Sequence, residues 1–395
     1  MITSSVLTIN GGSSSIKFAL YSTNKEQTCL LSGKVERIGL AEAQFKADIP
    51  GQPREMRSIE APDHQTAAAA VIEWIQERFG FESVQGVGHR VVHGGNMYSQ
   101  PQRVTSPLMR ELRRLKPYDP EHLPSEIQLI ELFQKRYPKV PQVVCFDTSF
   151  HREMPRVARV LPIPRRYESR GIERYGFHGL SYEYLIEELR RVADAQAANA
   201  RVILAHLGNG ASLAALRNGK SIDTSMAFTP TAGVPMSSRS GDLDPGLVWY
   251  LARTEKLTAR KFHHMVNHES GLLGISETSS DMRDLLSREA HDVRAAEAVA
   301  IFCYQIKKWI GGFAAALGGL DTLVFAGGIG ENAPAVRWRI CEGLEFLGIR
   351  VDQVQNEASA SVISVKASPV TIRVIRTNEE SIIAKSVCLV LGLAN

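Results

Sequence analysis

Two stretches decide how this chain folds: VLTINGGSSSIKFAL, Val6–Leu20, and VILAHLGNGASLAAL, Val202–Leu216. Each starts as an apolar run of strand type, breaks at small residues and resumes as a second apolar run. The breaks are Gly11-Gly12-Ser13-Ser14-Ser15 in the first and Gly208-Asn209-Gly210 in the second. Apolar runs bounded by Gly, Asn and Ser clusters read as paired strands. The match between the stretches is loose residue by residue, so what repeats is the unit. The pattern predicts an α/β protein built from two similar domains that face a cleft, each sending a small-residue turn into it.

The surrounding sequence extends both units. After the first hairpin, Thr28–Val35 reads as a third strand. A helix is expected over Asp63–Phe79 with Asp63 as its cap, strands over Val84–Val92 and Gln142–Phe146, and a helical stretch over Ser106–Arg136. In the second half, Arg201–Leu207, Ser212–Arg217 and Ser221–Ser225 read as strands, followed by helices and a strand at Thr322–Ala326. A glycine turn and a further helix come next, and a last helix spans Asn378–Leu391. The domains are expected at 1–150 plus 381–395 and at 151–380. A loop from Thr224 to Gly246, rich in Ser, Thr, Gly and Pro, is long enough to expect a function of its own.

Bulk properties narrow the class. With 395 residues, 44% apolar, 22% charged and a net charge of +4, the chain is an ordinary globular protein of two-domain length. Its basic residues are scattered, which gives no reason to expect nucleic acid. Five cysteines without a CxxC pair argue against a disulfide framework or a zinc site and for a reducing compartment. The stretch Gly311–Ile329 carries six glycines and an Asp, and reads as a buried helix and strand, so no membrane span is expected. MITSSVLTINGG lacks a basic n-region and an apolar h-region, so a cytoplasmic location is expected.

Several segments carry residue types suited to anions. Asn10–Lys17 combines glycine amides, serine hydroxyls and one ammonium group, a set that can hold a phosphate, and His206-Leu207-Gly208-Asn209-Gly210 is the equivalent turn. Gly327-Gly328-Ile329-Gly330-Glu331-Asn332-Ala333 follows a strand and opens a helix. Gly328, Gly330 and Ala333 also fit a dinucleotide fingerprint, with Asp352 as the ribose acid, but only about 60 residues follow, too few for the rest of a dinucleotide domain. Asn218-Gly219-Lys220-Ser221 ends like a P-loop, yet Ala214 stands where the motif needs Gly. No HRD, DFG, GxSxG or HExxH run occurs. Arg90 lies in Gly88–Gly95 between two histidines, Arg239 in the long loop, Asp147 just past a strand, and His178 between Phe177 and Gly179 before a helix. An arginine fork grips carboxylate and phosphate alike.

Taken in order, INGGSSSIKF, GHRVVHGG, FDTSFH, YGFHGLSY, HLGNGAS, DTSMAFTPTAGVPMSSRSGDLDP, FAGGIGEN and RTNEE resemble the acetate kinase family over nearly the whole chain. The resemblance implies the sugar kinase/Hsp70/actin fold, with two duplicated ribonuclease-H-like domains, and reversible transfer of the ATP γ-phosphoryl group to acetate. It implies Mg²⁺, with Mn²⁺ as a substitute, held by Asn10 and Glu379. Nucleotide would be bound by Lys17, the run His206, Leu207, Gly208, Asn209 and Gly210, then Asp281, Met282 and Arg283, and the run Gly328, Ile329, Gly330, Glu331 and Asn332. Arg90, Val92 and Arg239 would bind the acid, while Asp147, His178 and Arg239 would be catalytic. A homodimer through the second domain is also implied.

One segment departs from the family pattern. Where a PLHNP run is usual, this chain has Leu115–Pro124, LKPYDPEHLP, which puts Tyr118 at a position of the acyl-pocket wall. Propionate therefore stands beside acetate as a substrate. An actin-like ATP-binding module and a nicotinamide dehydrogenase are the more distant readings.

Overall fold

The computed structural model describes residues 4–12, 14–40 and 42–393. The chain divides into two compact units, 1–149 with 378–395, and 150–377.

In the first unit the strands are β1 (Ser5–Gly11), β2 (Ser15–Ser22), β3 (Cys29–Glu36), β4 (Ala43–Asp48), β5 (Glu55–Ile59), β6 (Val84–Val91), β7 (Gln102–Arg103) and β8 (Gln142–Phe146). They form one sheet in the order β5-β4-β3-β2-β1-β6-β8-β7. β1 to β5 pair antiparallel in succession, while β6 and β8 run parallel to β1. One face is covered by helix His64–Phe79, whose Trp74 packs among Phe18 and Phe45 with ring centroids 6.0 and 5.4 Å away. Asp63 caps that helix as expected, its carboxylate accepting from Thr66 N at 2.7 Å. On β6, a Cβ on Gly88 would come within 2.4 Å of Ile383 Cγ2. Glycine there lets the terminal helix Glu379–Leu391 lie directly on the sheet.

The second unit holds β9 (Arg201–Leu207), β10 (Ala211–Arg217), β11 (Lys220–Thr224), β12 (Thr322–Ala326) and β13 (Thr371–Val374), in the order β11-β10-β9-β12-β13. Again three antiparallel strands are extended by two parallel ones. This order repeats β3-β2-β1-β6-β8, so the duplication read from the two hairpins is borne out. Helix Gly179–Val192 places Tyr182, Leu185, Ile186 and Leu189 against Val202, Leu204, Ala214 and Leu216. Helix Val293–Leu317 also packs on β9 and β10. With both faces covered, β9 and β10 are buried almost throughout, which explains their continuous apolar runs.

The structure adds what the sequence reading left out. β4, β5, β7 and β13 were not anticipated. The stretch 106–136 is two helices, Ser106–Leu115 and Leu123–Arg136, because Pro117 and Pro120 fall between them. Asp352 ends no long strand. It caps the short helix Gln353–Glu357, accepting from Gln355 N at 3.0 Å, which removes the ribose acid from the dinucleotide reading. Asn218 and Gly219, with φ of 54° and 70°, form a tight turn between β10 and β11 and not a P-loop.

Candidate active site

Within the first unit the sequence-chosen residues gather at the ends of β1, β6 and β8. Arg90, near the end of β6, is the hub. Its Nε and Nη2 donate to Asp147 Oδ2 at 3.1 and 2.6 Å, and its Nη1 donates to Glu126 Oε1 at 3.1 Å and Gly11 O at 2.8 Å. Burial works against the Arg90 charge, but the Asp147 and Glu126 carboxylates more than offset that and raise its pKa. Burial likewise pushes the Asp147 carboxyl up, with Arg90 pulling the other way. Asp147 Oδ1 is buried and accepts no hydrogen bond among the described residues. A buried carboxylate oxygen left without a donor is a place where a ligand group can bind.

Asn10 sits at the end of β1 opposite Lys17 on β2, so the two share a face of the sheet. Asn10 Nδ2 donates to Glu379 Oε2 at 2.7 Å and to Glu380 Oε1 at 3.0 Å, at the start of the terminal helix. The hairpin turn closes with Gly12 N donating to Ser15 O at 2.8 Å. Ser13, part of the expected phosphate-holding turn, lies outside the described residues. Val92 is fully buried, its N–H donating to Glu126 Oε2 at 2.9 Å. Tyr118 stands edge-on to His93, centroids 5.5 Å apart.

Glu126 escaped the sequence reading. Its signal was present: with Leu123, Ile127 and Ile130 it lies on the buried stripe of helix Leu123–Arg136, where a lone carboxylate is out of place unless paired. Burial pushes its carboxyl up to about 8, against the pull of Arg90 and the Val92 N–H. Glu380 was also missed.

In the second unit the turn between β9 and β10 is the centre. A Cβ built on Gly210 would lie 3.0 Å from His178 Nε2 and 3.7 Å from Arg239 Nη1, so both side chains converge on one point beside that glycine. His178 adopts a left-handed φ of 58° just before helix Gly179–Val192. Its ring stacks on His206 with centroids 4.4 Å apart. The loop bearing Arg239 is tied to the same turn, Ser237 N donating to Asn209 O at 3.2 Å. Arg239 Nη1 donates to Pro230 O at 3.1 Å.

The glycine run after β12 forms helix Gly327–Asn332. A Cβ on Gly208 would lie 3.8 Å from Gly328 N, so this run borders the β9–β10 turn. Glu331 Oε1 accepts from Gly327 N at 3.0 Å and from Thr377 N at 3.1 Å. The fully buried Arg337 donates to Gly330 O at 2.8 Å and Glu331 O at 3.1 Å, fixing the far end of the run. Leu207 is buried beneath the turn, Ile329 is half-buried, and Asn332 Nδ2 donates back to Gly328 O at 2.9 Å. Asp281 caps helix Met282–Arg288, pairing with Arg283 at 2.5 Å above the buried Met282.

The oxygen donors of Asn10 and Glu379 suit a hard ion such as Mg²⁺. Among the described residues no group of three or more His, Cys, Asp or Glu side chains gathers to hold a metal. One amide oxygen and one carboxylate suit an ion that keeps several waters, so the residues present fit Mg²⁺.

Duplicated sheets, each opening on a glycine-bearing hairpin, define an α/β protein of two ribonuclease-H-like units, the sugar kinase/Hsp70/actin type. The Acetokinase family model matches residues 5–385. The chain is 43% identical to the acetate kinase of Methylocella silvestris over 391 residues, 96% of each. Among solved structures it resembles the acetate kinase of Porphyromonas gingivalis, with 36% identity, a TM-score of 0.86 and coverage of 98% of this chain and 100% of that one. It resembles a propionate kinase from Francisella tularensis with 35% identity, a TM-score of 0.90 and coverage of 97% and 99%. The chain belongs to the acetokinase family.

Proposed function

We propose that the chain catalyses Mg²⁺-dependent, reversible transfer of the ATP γ-phosphoryl group to acetate, giving acetyl phosphate and ADP by direct in-line displacement. The observation that carries this is the meeting of His178 Nε2 and Arg239 Nη1 beside Gly210. Phosphoryl transfer asks mainly for positioning and for donors around the equatorial oxygens, and such a pair supplies them.

The roles follow from the chemistry of each group. Arg90 grips the acid carboxylate, with Val92 as an apolar wall. Acetate is already ionised at neutral pH, so Asp147 positions groups and does not abstract a proton. His178 and Arg239 hold the phosphoryl oxygens in the transition state. Lys17, His206–Gly210, Asp281–Arg283 and Gly328–Asn332 hold the nucleotide. Asn10 and Glu379 would hold Mg²⁺, or Mn²⁺ in its place, and the ion would supply positive charge to offset that of the triphosphate. The unit spanning 150–377 takes nucleotide binding and dimerisation. A cytoplasmic setting suits these substrates. It is supported by five free cysteines, as a reducing compartment allows.

Acetate is the proposed acid because the Tyr118 ring crowds the wall beside His93. A methylene changes discrimination by roughly 10- to 200-fold, so kcat/KM for propionate should be at least about tenfold lower. Trapping acyl phosphate as hydroxamate with ATP, Mg²⁺ and a panel of short acids tests the reading. No product with any acid ends it, while equal rates with acetate and propionate end only the acetate preference. Inversion at a chiral γ-phosphorus is expected, and retention rejects direct transfer. Turnover should fall in Arg90→Ala and Arg239→Ala, and unchanged turnover in both would refute the assigned roles.

A further inference from the structure

One ring nitrogen of His178 is anchored on strand β10. Its Nδ1 lies 2.8 Å from Ser212 Oγ, and Ser212 Oγ lies 2.5 Å from the Tyr182 hydroxyl. Ser212 and Tyr182 are both fully buried, Ser212 on β10 and Tyr182 one helical turn beyond His178. Among the described residues the Tyr182 hydroxyl has no other hydrogen-bonding partner, and Ser212 Oγ has only these two.

These facts restrict where the hydrogens can be. A serine hydroxyl and a phenol each carry one hydrogen, and burial keeps it on the phenol by raising the Tyr182 pKa. If His178 carried its proton on Nδ1 and donated it to Ser212, either the serine or the phenol hydrogen would have no acceptor. Only one arrangement satisfies both: Tyr182 donates to Ser212, and Ser212 donates to Nδ1. Buried hydroxyls are rarely left unsatisfied, so that order is the one selected.

We infer that Ser212, backed by Tyr182, is a positioning pair that fixes His178 as the Nε2–H tautomer, turning a neutral imidazole into a hydrogen-bond donor beside Gly210 and the Arg239 guanidinium. The opposite tautomer would aim a lone pair at the same point and repel an anionic oxygen. The donor form suits an oxygen that gathers charge in the transition state. The inference rests on the reading that His178 works in phosphoryl transfer. It adds two residues that touch neither the acid nor the nucleotide.

Imidazole nitrogens of the full chain, labelled with ¹⁵N and assigned by the loss of one ring in His178→Gln, report the tautomer directly. The expected spectrum has Nε2 protonated and Nδ1 bare and accepting; a protonated Nδ1 overturns the inference. In Ser212→Ala, kcat should drop about tenfold or more, with KM for both substrates within about twofold. Ser212→Thr, which keeps the hydroxyl, should restore kcat to within about threefold. An unchanged kcat in Ser212→Ala, or a Ser212→Thr protein as slow as the alanine variant, also overturns it. If Ser212→Ala does not fold, the wild-type spectrum decides alone. Full turnover in His178→Ala would instead defeat the underlying role of His178, while the spectrum would still read the order of the hydrogen bonds.

Discussion

A methyl group on Gly210 is the smallest change that probes the point where His178 and Arg239 meet. Gly210 is not among the glycines with a positive φ, so alanine is allowed by the backbone. The added Cβ would stand 3.0 Å from Nε2 and 3.2 Å from Cε1 of His178, displacing the ring and filling the space for a phosphoryl oxygen. Gly210→Ala should therefore lose about 10²-fold in kcat, with a thermal midpoint within about 4 °C of wild type. A variant that turns over normally would show the space is not used. His151 makes a second single-residue case. Its Nε2–H donates to Phe177 O at 3.1 Å and its Nδ1 accepts from Ser221 at 2.8 Å, and burial lowers its pKa from 6.5 to about 4. Between those values the unfolded chain binds a proton that the native ring does not. The His151 contribution to stability is thus present above about pH 6.5 and is lost as pH falls toward 4, by about 3 kcal/mol in all. Denaturant unfolding of His151→Gln should show a pH slope near pH 5 shallower than wild type by close to one proton; equal slopes would mean the ring titrates normally. Arg90, Asp147 and His178 were legible in the sequence because each borders a strand end or a glycine turn. Ser212 and Tyr182 were not, because a serine in a strand and a tyrosine in a helix have meaning only once 30 residues of chain bring them together.

At the scale of elements, the glycine run after β12 separates folding from chemistry. Gly327 has φ 76°, and a Cβ there would come within 2.7 Å of Leu207 O and 3.0 Å of Leu207 N, backbone atoms that cannot swing aside. Gly327→Ala should move the whole run Gly327–Asn332 away from the β9–β10 turn. KM for ATP should then rise at least about tenfold, together with about 1–3 kcal/mol of lost stability, in contrast to the stable but slow Gly210→Ala. Normal KM and stability would contradict this packing. The strands that pattern reading found, β1, β2, β3, β6, β8, β9, β10, β11 and β12, all lie inside their sheets except β11, and β1, β8, β10 and β12 are buried at nearly every position. Those it missed lie outward in their sheets. β4 alternates buried and half-buried residues, and β5 carries Glu55 and Arg57 in a run with no buried position, as suits an edge that must not pair further. Their hydrophobic signal is too weak to see without the neighbour that selects them. The helical stretch 106–136 was broken by Pro117 and Pro120, a local rule that outweighs the periodicity on either side.

At the scale of the whole molecule, one face of the second unit is left with apolar surface that a monomer has no reason to keep. Helix Gly246–Thr254 has no buried residue, and Leu247, Val248, Trp249 and Tyr250 are exposed by 37%, 44%, 68% and 61%. A contiguous run of this kind marks an interaction surface, and a second copy of the chain is the proposed occupant. Two aromatic side chains at its centre are of the type that carries most of the energy in an interface. Equilibrium sedimentation should give twice the protomer mass for the wild type, and Trp249→Asp should shift the population toward the single chain with an unchanged far-ultraviolet spectrum. Because association stabilises only the folded form, the wild-type thermal midpoint should rise with protein concentration while that of Trp249→Asp should not. A wild-type chain that sediments as a monomer, with a midpoint independent of concentration, would leave this helix without a partner of its own kind and would send the search to a different protein.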